Sequence, residues 1–380
     1  MKYRALGKTG LTVSEIGFGG EWLERHSLEE CVALGKRCRE LGINIVDCWM
    51  SDPEVRTKLG EALKGHREDW IIQGHIGSTW QGGQYVRTRS LPEVKEAFKD
   101  LQTRLGTEYI DLGMIHYVDQ LSDWEAIQTN GFVDYVKELK AAGTIGHIGL
   151  STHNPVIGKL AAECGYVEVI LFSSNPAFDL LPASEDINNY FVDEYDAELG
   201  GIDPVRAEFY KLCEQKGVAL TVMKGFAGGR LFDAKRSPFG VAMTPVQCLH
   251  YCLTRPAVAA VMVGYDTPDQ VDDCCRYETA SEAEKDYATL LARAPRHAFT
   301  GQCTYCNHCK PCPSDIDIAM VNKFYDLATM QPEVPASVRE HYKALPVNAS
   351  SCIGCRDCES RCPFSVPIAE RMEKAAKLFG

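Results

Sequence analysis

Eight short apolar runs, each followed by a stretch of helical character, recur along the first 295 or so residues: 13–18, 43–48, 70–76, 110–115, 145–151, 167–173, 219–224 and 259–264. They lack strict polar alternation, as expected of parallel strands buried on both faces. A parallel strand needs a long crossover to reach its neighbour, and a helix is the usual one. Eight β-then-α units in about 290 residues predict a (β/α)8 barrel. The competing α/β architecture, an open dinucleotide-binding sheet, would place G-x-G-x-x-G after a strand, and no run here is followed by one.

The helices between the runs carry their own signals. Ser27 and Glu30 form a capping box, Cys31, Leu34, Cys38 and Leu41 follow at helical spacing, and Gly42 stops the helix. Pro92 and Pro204 open two later helices. The segment 178–201 is long for a βα loop and rich in Asn, Asp and Tyr, so it is expected over the barrel mouth. Past residue 295 the pattern changes, which divides the chain into a barrel, 1–295, and a small helical and loop domain, 296–380. There, 320–345 reads as short helix interrupted by a Pro-containing loop, and 368–379 as a terminal helix.

Cysteine is the compositional outlier, with seventeen in 380 residues. Eight fall in two tight groups between Cys303 and Cys362, and the nine scattered ones read as small core residues. The N-terminus has no apolar segment of the secretory kind, and no apolar run approaches the roughly 20 residues of a membrane span. The expectation is a cytoplasmic, anaerobic protein with no membrane partner, whose thiolates bind metal. A net charge of −12 without clustered Lys or Arg argues against nucleic acid.

The second group, Cys352-x2-Cys355-x2-Cys358-x3-Cys362-Pro363, has the spacing of bacterial [4Fe-4S] ferredoxins; the first, Cys303-x2-Cys306-x2-Cys309-x2-Cys312-Pro313, is one residue shorter in its last gap. Three thiolates in seven residues wrap one iron cube, and the proline after the fourth cysteine turns the chain toward the other. By that logic cluster I takes Cys303, Cys306, Cys309 and Cys362, and cluster II takes Cys352, Cys355, Cys358 and Cys312. Zinc needs two CxxC pairs per site, which leaves the third cysteine and the Cys-Pro unexplained. A purely stiffening role for the clusters is the other alternative.

With these motifs in view the chain resembles the aldo/keto reductase family, in the branch with a fused C-terminal dicluster [4Fe-4S] ferredoxin domain. The resemblance rests on GKTGLTVSEIGFGG, NIVDCW, YIDLGMIH, IGHIGLSTHN, VMKGFAGGRL and VMVGYDTPDQVDD in the barrel, and on CTYCNHCKPCP and CIGCRDCESRCP in the tail. It implies a catalytic tetrad of Asp, Tyr, Lys and His at strand ends. Asp47 and His116 match its outer members, whereas Asp52 stands at the Tyr position and His75 at the Lys position. An Asp–His pair can still transfer protons, His titrating near neutral pH.

The resemblance also implies a nicotinamide site, altered here. Ser151 matches a carboxamide-binding serine, Thr152 replaces an Asn, and the Gln expected near strand six is Leu171 or Phe172. Gly228, Gly229 and Gly264 match pyrophosphate-contacting loops. Asp266, Gln270, Asp272 and Asp273 occupy the positions that hold basic groups for a 2′-phosphate, which disfavours NADPH and leaves NADH compatible. Asn175 and Lys224 are expected near the cofactor, and Trp49 and His153 near the substrate, all at strand ends.

Three functions compete. The first is an iron-sulfur oxidoreductase that passes electrons from a soluble donor such as ferredoxin, or from NADH, to a small reducible substrate in the barrel mouth. The second is a metal-dependent lyase or hydrolase using Asp47, Asp52, His75 and His116, with structural clusters. The third is a non-catalytic electron carrier. The tail from Arg296 carries 10 Lys and Arg against 9 Asp and Glu, so it offers no single-signed docking face, and the first function is preferred.

Overall fold

In a computed structural model, every residue but Asp193 and Gln331 is described, and of Glu21 the backbone alone. Eight parallel strands close into a barrel: Ile16–Gly19, Ile45–Cys48, Ile71–Ile76, Ile110–Ile115, Ile145–Thr152, Val169–Ser173, Ala219–Met223 and Val258–Gly264. Each pairs with the next in sequence, and the eighth returns to the first with Val261 opposite Ile16. The expected barrel is present.

Two apolar layers explain why the strands look continuously hydrophobic. Leu112, Met114, Val169, Leu171 and Met262 fill the barrel interior. Their strand neighbours Ile110, Ile115, Ile170 and Phe172 face the surrounding helices. Each such buried side chain contributes about 1.5–3 kcal/mol. Interior space is tight: a Cβ on Gly149 would lie 2.2 Å from the Met114 sulfur, so any side chain there would have to displace the end of that methionine.

The first apolar run is divided. Thr12–Ser14 pairs antiparallel with Tyr3–Ala5, and the barrel strand begins only at Ile16. Leu6 and Val13 from this hairpin join the interior cluster, and Glu15 accepts a 2.6 Å hydrogen bond from Arg4. Periodicity does not register such a break, because Val13 and Ile16 on either side of it are both buried apolar residues. A second hairpin, Ser78–Gln81 with Gln84–Arg87, leaves the end of the third barrel strand. Its two turn residues, Gly82 and Gly83, are both left-handed (φ 58° and 78°), the geometry of a tight type I′ connection.

The helix Leu28–Glu40 carries the expected capping box between Ser27 and Glu30. The tail contains the helices Ile318–Ala328, Ala336–Lys343, Asp357–Arg361 and Ile368–Phe379, the last with the bounds read from sequence. Ile318–Ala328 packs on the barrel helix Pro204–Lys216, where Lys323 pairs with Glu214 at 2.6 Å. Buried Arg255 donates to the Thr304 carbonyl at 2.6 Å, and Phe299 lies among Phe239, Tyr251 and Phe364. Among the described residues, no helix is long and apolar enough to cross a membrane.

Candidate active site and cysteine-lined cavities

The C-terminal ends of the strands open on a pocket of about 320 Å³ lined by Asp47, Trp49, His75, His116, Ser151 and His153, among others. Asp47 lies one residue before the end of strand two, His75 lies near the end of strand three, and His116 follows strand four. Asp47 Oδ1 accepts 2.9 Å from the Gln73 amide, whose own oxygen accepts 2.8 Å from Thr221 across the barrel interior. The same Oδ1 lies 3.1 Å from His75 Nε2, and His75 Nδ1 lies 2.7 Å from His116 Nδ1.

Asp52 does not join this group. Its carboxylate caps the helix Pro53–Leu63, accepting 2.7 Å from the Glu54 amide, and it is absent from the pocket lining. Tyr85, from the second hairpin, stands at the other end of the row instead, its hydroxyl 2.6 Å from His116 Nε2. The sequence reading missed it, although Trp80-Gln81-Gly82-Gly83-Gln84-Tyr85 carries a hairpin turn signal.

The hairpin is held firmly. Ser78 donates to the Trp49 carbonyl and Ser51 to the Thr79 carbonyl, both at 2.7 Å. Just beyond the hairpin, Arg89 donates to Asp123 and to the His116 carbonyl, and Arg87 to Asp123 and the Tyr117 carbonyl. Trp49 stacks parallel to His116 and meets the Tyr85 ring edge-on. Burial pushes the Tyr85 hydroxyl up to about 12, with Arg87 acting against it. Burial, and then the charges of His75, Arg89 and Arg87, hold His116 well below the ordinary imidazole range.

Among the remaining residues read from sequence, Ser151 lines the pocket and accepts 2.8 Å from the Tyr117 amide. His153 is oriented by Asp119 at 2.9 Å. Leu171 faces the pocket, whereas Phe172 turns outward against Phe209. Asn175 does not line it: its side chain donates to the Lys224 carbonyl and accepts from the Phe178 amide. Lys224, with φ 60°, lies at the junction with a second cleft.

That cleft, of about 690 Å³, shares Lys224, Met262 and Gly264 with the pocket and runs past Gly228, Gly229 and Trp22 to Asp266, Gln270 and Asp273. Arg25 lies on the Trp22 ring. Asp272 is turned away and pairs with Arg37 at 3.1 Å. The segment following strand six does approach the mouth, with Ile187 lining the pocket and Phe191 the cleft.

In the tail, the eight grouped cysteines sort into two small cavities of about 20 Å³ each. Cys303, Cys306, Cys309 and Cys362 line one; Cys312, Cys352, Cys355 and Cys358 line the other. The backbone repeats between the two halves. Tyr305 and Gly354, Asn307 and Arg356, and Asp315 and Ser365 occupy matching places relative to the cysteines, and all six have positive φ. Five of them are not glycine, and such conformations persist only where the surroundings enforce them.

Among the described residues, no three His, Cys, Asp or Glu side chains are grouped to hold a single metal ion. With Asp52 elsewhere, this disfavours a metal-dependent lyase or hydrolase built on the barrel residues. Thiols that each bind a different iron of a cube need not converge on one point, whereas four sulfurs on one zinc at about 2.3 Å must.

Residues 15–176 match the family described as Aldo/keto reductase family. The "Uncharacterized oxidoreductase YqkF" of Bacillus subtilis is 26% identical over 284 residues, covering 71% of this chain and 89% of that one. "Pyridoxal 4-dehydrogenase" of Microbacterium luteolum is 22% identical, covering 70% and 90%. The structure of aldo-keto reductase AKR11C1 from Bacillus halodurans in its holo form superposes with a TM-score of 0.58 at 25% identity, covering 75% of this chain and 94% of that one. On the matched residues, the closed barrel and these relatives, this chain is similar to the aldo/keto reductases over its barrel, and it is an oxidoreductase enzyme.

Proposed function

We propose that the chain is an iron-sulfur oxidoreductase that passes electrons through two [4Fe-4S] clusters in its tail to a small reducible substrate, of the carbonyl class, in the barrel mouth. The observation that carries this reading is the sorting of eight cysteines into two cavities of four, each completed by a cysteine from the other motif. Soft thiolate donors suit iron-sulfur clusters. The matched positive-φ positions support the same reading, because they recur in both halves. When bound, the clusters would supply electrons one at a time.

The family generally uses nicotinamide cofactors. The pocket and the cleft, joined at Lys224, Met262 and Gly264, suit a dinucleotide with its nicotinamide toward Ser151 and its adenosine toward Asp266 and Asp273. Those carboxylates favour NADH over NADPH, since a 2′-phosphate would meet like charge. In the mouth, Asp47, His75 and His116 handle the proton that accompanies substrate reduction, and Trp49 and His153 border the substrate. A soluble low-potential protein such as ferredoxin fits as electron donor.

Purification without oxygen tests the reading. About eight irons and eight inorganic sulfides per chain are expected, with reduction by a low-potential dye bleaching the cluster absorbance. Zinc in place of iron, or iron far below that tally, overturns it.

A further inference from the structure

We propose that Tyr85, delivered by the hairpin Ser78–Gln81 and Gln84–Arg87, is the acid–base group at the substrate oxygen, and that His116 and His75 relay its proton to and from the Asp47 end. The inference rests on the carbonyl-reduction reading above, with the bound nicotinamide rather than the clusters as the immediate donor to the carbonyl. Its basis is an unbroken row of hydrogen bonds, Tyr85 to His116 at 2.6 Å, His116 to His75 at 2.7 Å and His75 to Asp47 at 3.1 Å. All four side chains line the same pocket, so the row ends on open space at Tyr85.

The donors follow from the acceptors. Asp47 Oδ1 already receives the Gln73 amide, so His75 donates to it from Nε2. Two proton arrangements then satisfy the row, and they differ by one proton. With His75 neutral, His116 donates from Nδ1 to His75 and Tyr85 donates to His116 Nε2, leaving the phenol oxygen ready to accept from a substrate hydroxyl. With His75 protonated on both nitrogens and paired to Asp47, His116 receives at Nδ1 and donates from Nε2 to Tyr85, which aims the phenol O–H at the substrate. His116 stays neutral in both, in keeping with its depressed affinity for protons.

Reduction of a carbonyl moves the row from the second arrangement to the first. A reduced nicotinamide held in the cleft would supply the hydride for the new C–H bond at the carbonyl carbon, with the carbonyl π pair going to oxygen. The Tyr85 proton forms the alcohol O–H, the His116 Nε2 proton passes to Tyr85, and the His75 Nδ1 proton passes to His116. The carbonyl is reduced by two electrons, the nicotinamide is oxidised by two, and His75 is left neutral. Oxidation of an alcohol runs the same row backwards.

The charged and titratable groups around the row are Arg87 and Arg89 beside the hairpin, Tyr117 after strand four, His153 with Asp119 after strand five, and Lys224 after strand seven. Both arginines are tied to Asp123, so their charge is partly neutralised. Burial keeps the Tyr85 phenol protonated at neutral pH, as a proton donor must be.

The test is Tyr85→Phe in the full chain, which keeps the ring against Trp49 and removes the hydroxyl. Histidine ¹⁵N spectra should show His116 Nε2 losing its hydrogen-bonded shift in the variant. With NADH and 4-nitrobenzaldehyde as probe, kcat should fall about a hundred- to ten-thousand-fold with an unchanged aldehyde KM, and the pH profile should lose its dependence on the row. Unchanged His116 nitrogen signals, or turnover within a few-fold of the unaltered protein with the same pH profile, would overturn the proposal. If the unaltered protein leaves the aldehyde untouched, the carbonyl reading falls, while the nitrogen signals still decide whether Tyr85 terminates the row.

Discussion

At the scale of single residues, identity and position part company at Asp52 and Tyr85. Counting from Asp47 places Asp52 where the resemblance to the aldo/keto reductases implies a tyrosine, yet the Asp52 carboxylate is spent on a helix N-terminus, where such a cap contributes about 1 kcal/mol. A phenol reaches His116 from another element. The carboxylates of the cleft act one by one as well. NADH should bind more tightly than NADPH, and Asp273→Asn should narrow the ratio by about tenfold, as read by fluorescence titration with each nucleotide. An unchanged ratio would place the 2′ position elsewhere.

His250 carries a pH signature of its own. Burial, assisted by the charges of Lys285, Arg4 and Arg255, pushes its imidazole from 6.5 down to about 4. Between those values the unfolded chain binds the proton and the folded protein does not, so stability falls as pH drops through that window. The loss attributable to this side chain is about 3 kcal/mol by pH 4. Urea denaturation at pH 7 and pH 4.5 should show a smaller acid loss in His250→Gln than in the parent. Equal losses would mean that the histidine is solvated.

At the scale of elements, the second hairpin matters most to the site, and its geometry depends on two residues with empty space around them. A Cβ on Gly82 or Gly83 meets nothing within 4 Å, so substitution there acts through backbone conformation alone. Gly83→Ala should destabilise the hairpin by about 1–2 kcal/mol. Hydrogen exchange at 78–87 should quicken while the barrel strands stay protected, and turnover should drop with the melting temperature nearly unchanged. Uniform loss of protection would instead make the hairpin part of the barrel's cooperative unit. The helices were legible from sequence because their caps are local, as Ser27 with Glu30 shows. The hairpin's strands, Ser78–Gln81 and Gln84–Arg87, are short and mostly polar, so hydrophobic periodicity passes over it.

At the scale of the whole molecule, the tail and the mouth are linked. Immediately before Cys303, Gln302 accepts 2.7 Å from the Ile202 amide, and His297 bonds the Leu199 carbonyl at 2.8 Å. These bonds fasten the end of the long segment after strand six, whose earlier residues Ile187 and Phe191 border the pocket and cleft. Gln302→Ala should therefore speed limited proteolysis within 181–202 and raise the KM for substrate more than it lowers kcat. Identical proteolysis would show that the segment is held by its own packing. A buried network reinforces the junction: Asp179 accepts from Tyr210 and Tyr251, and Arg255 bridges Tyr287 to Thr304.

The sequence by itself determined the barrel, the order of its strands, the capped helices and the two cysteine motifs. These depend on local spacing: apolar runs long enough to be buried on both faces, cap residues adjacent to the helices they start, and thiols a few residues apart. Only the tertiary structure decided where Glu15 divides the first run, that Asp52 serves a helix, and that Tyr85 meets His116 across 31 residues. It also decided that Asn175 faces the Lys224 carbonyl, away from the pocket lining. Such pairings are set by how strand ends and loops from separate βα units meet at the mouth, and no spacing along one segment encodes a distance between two.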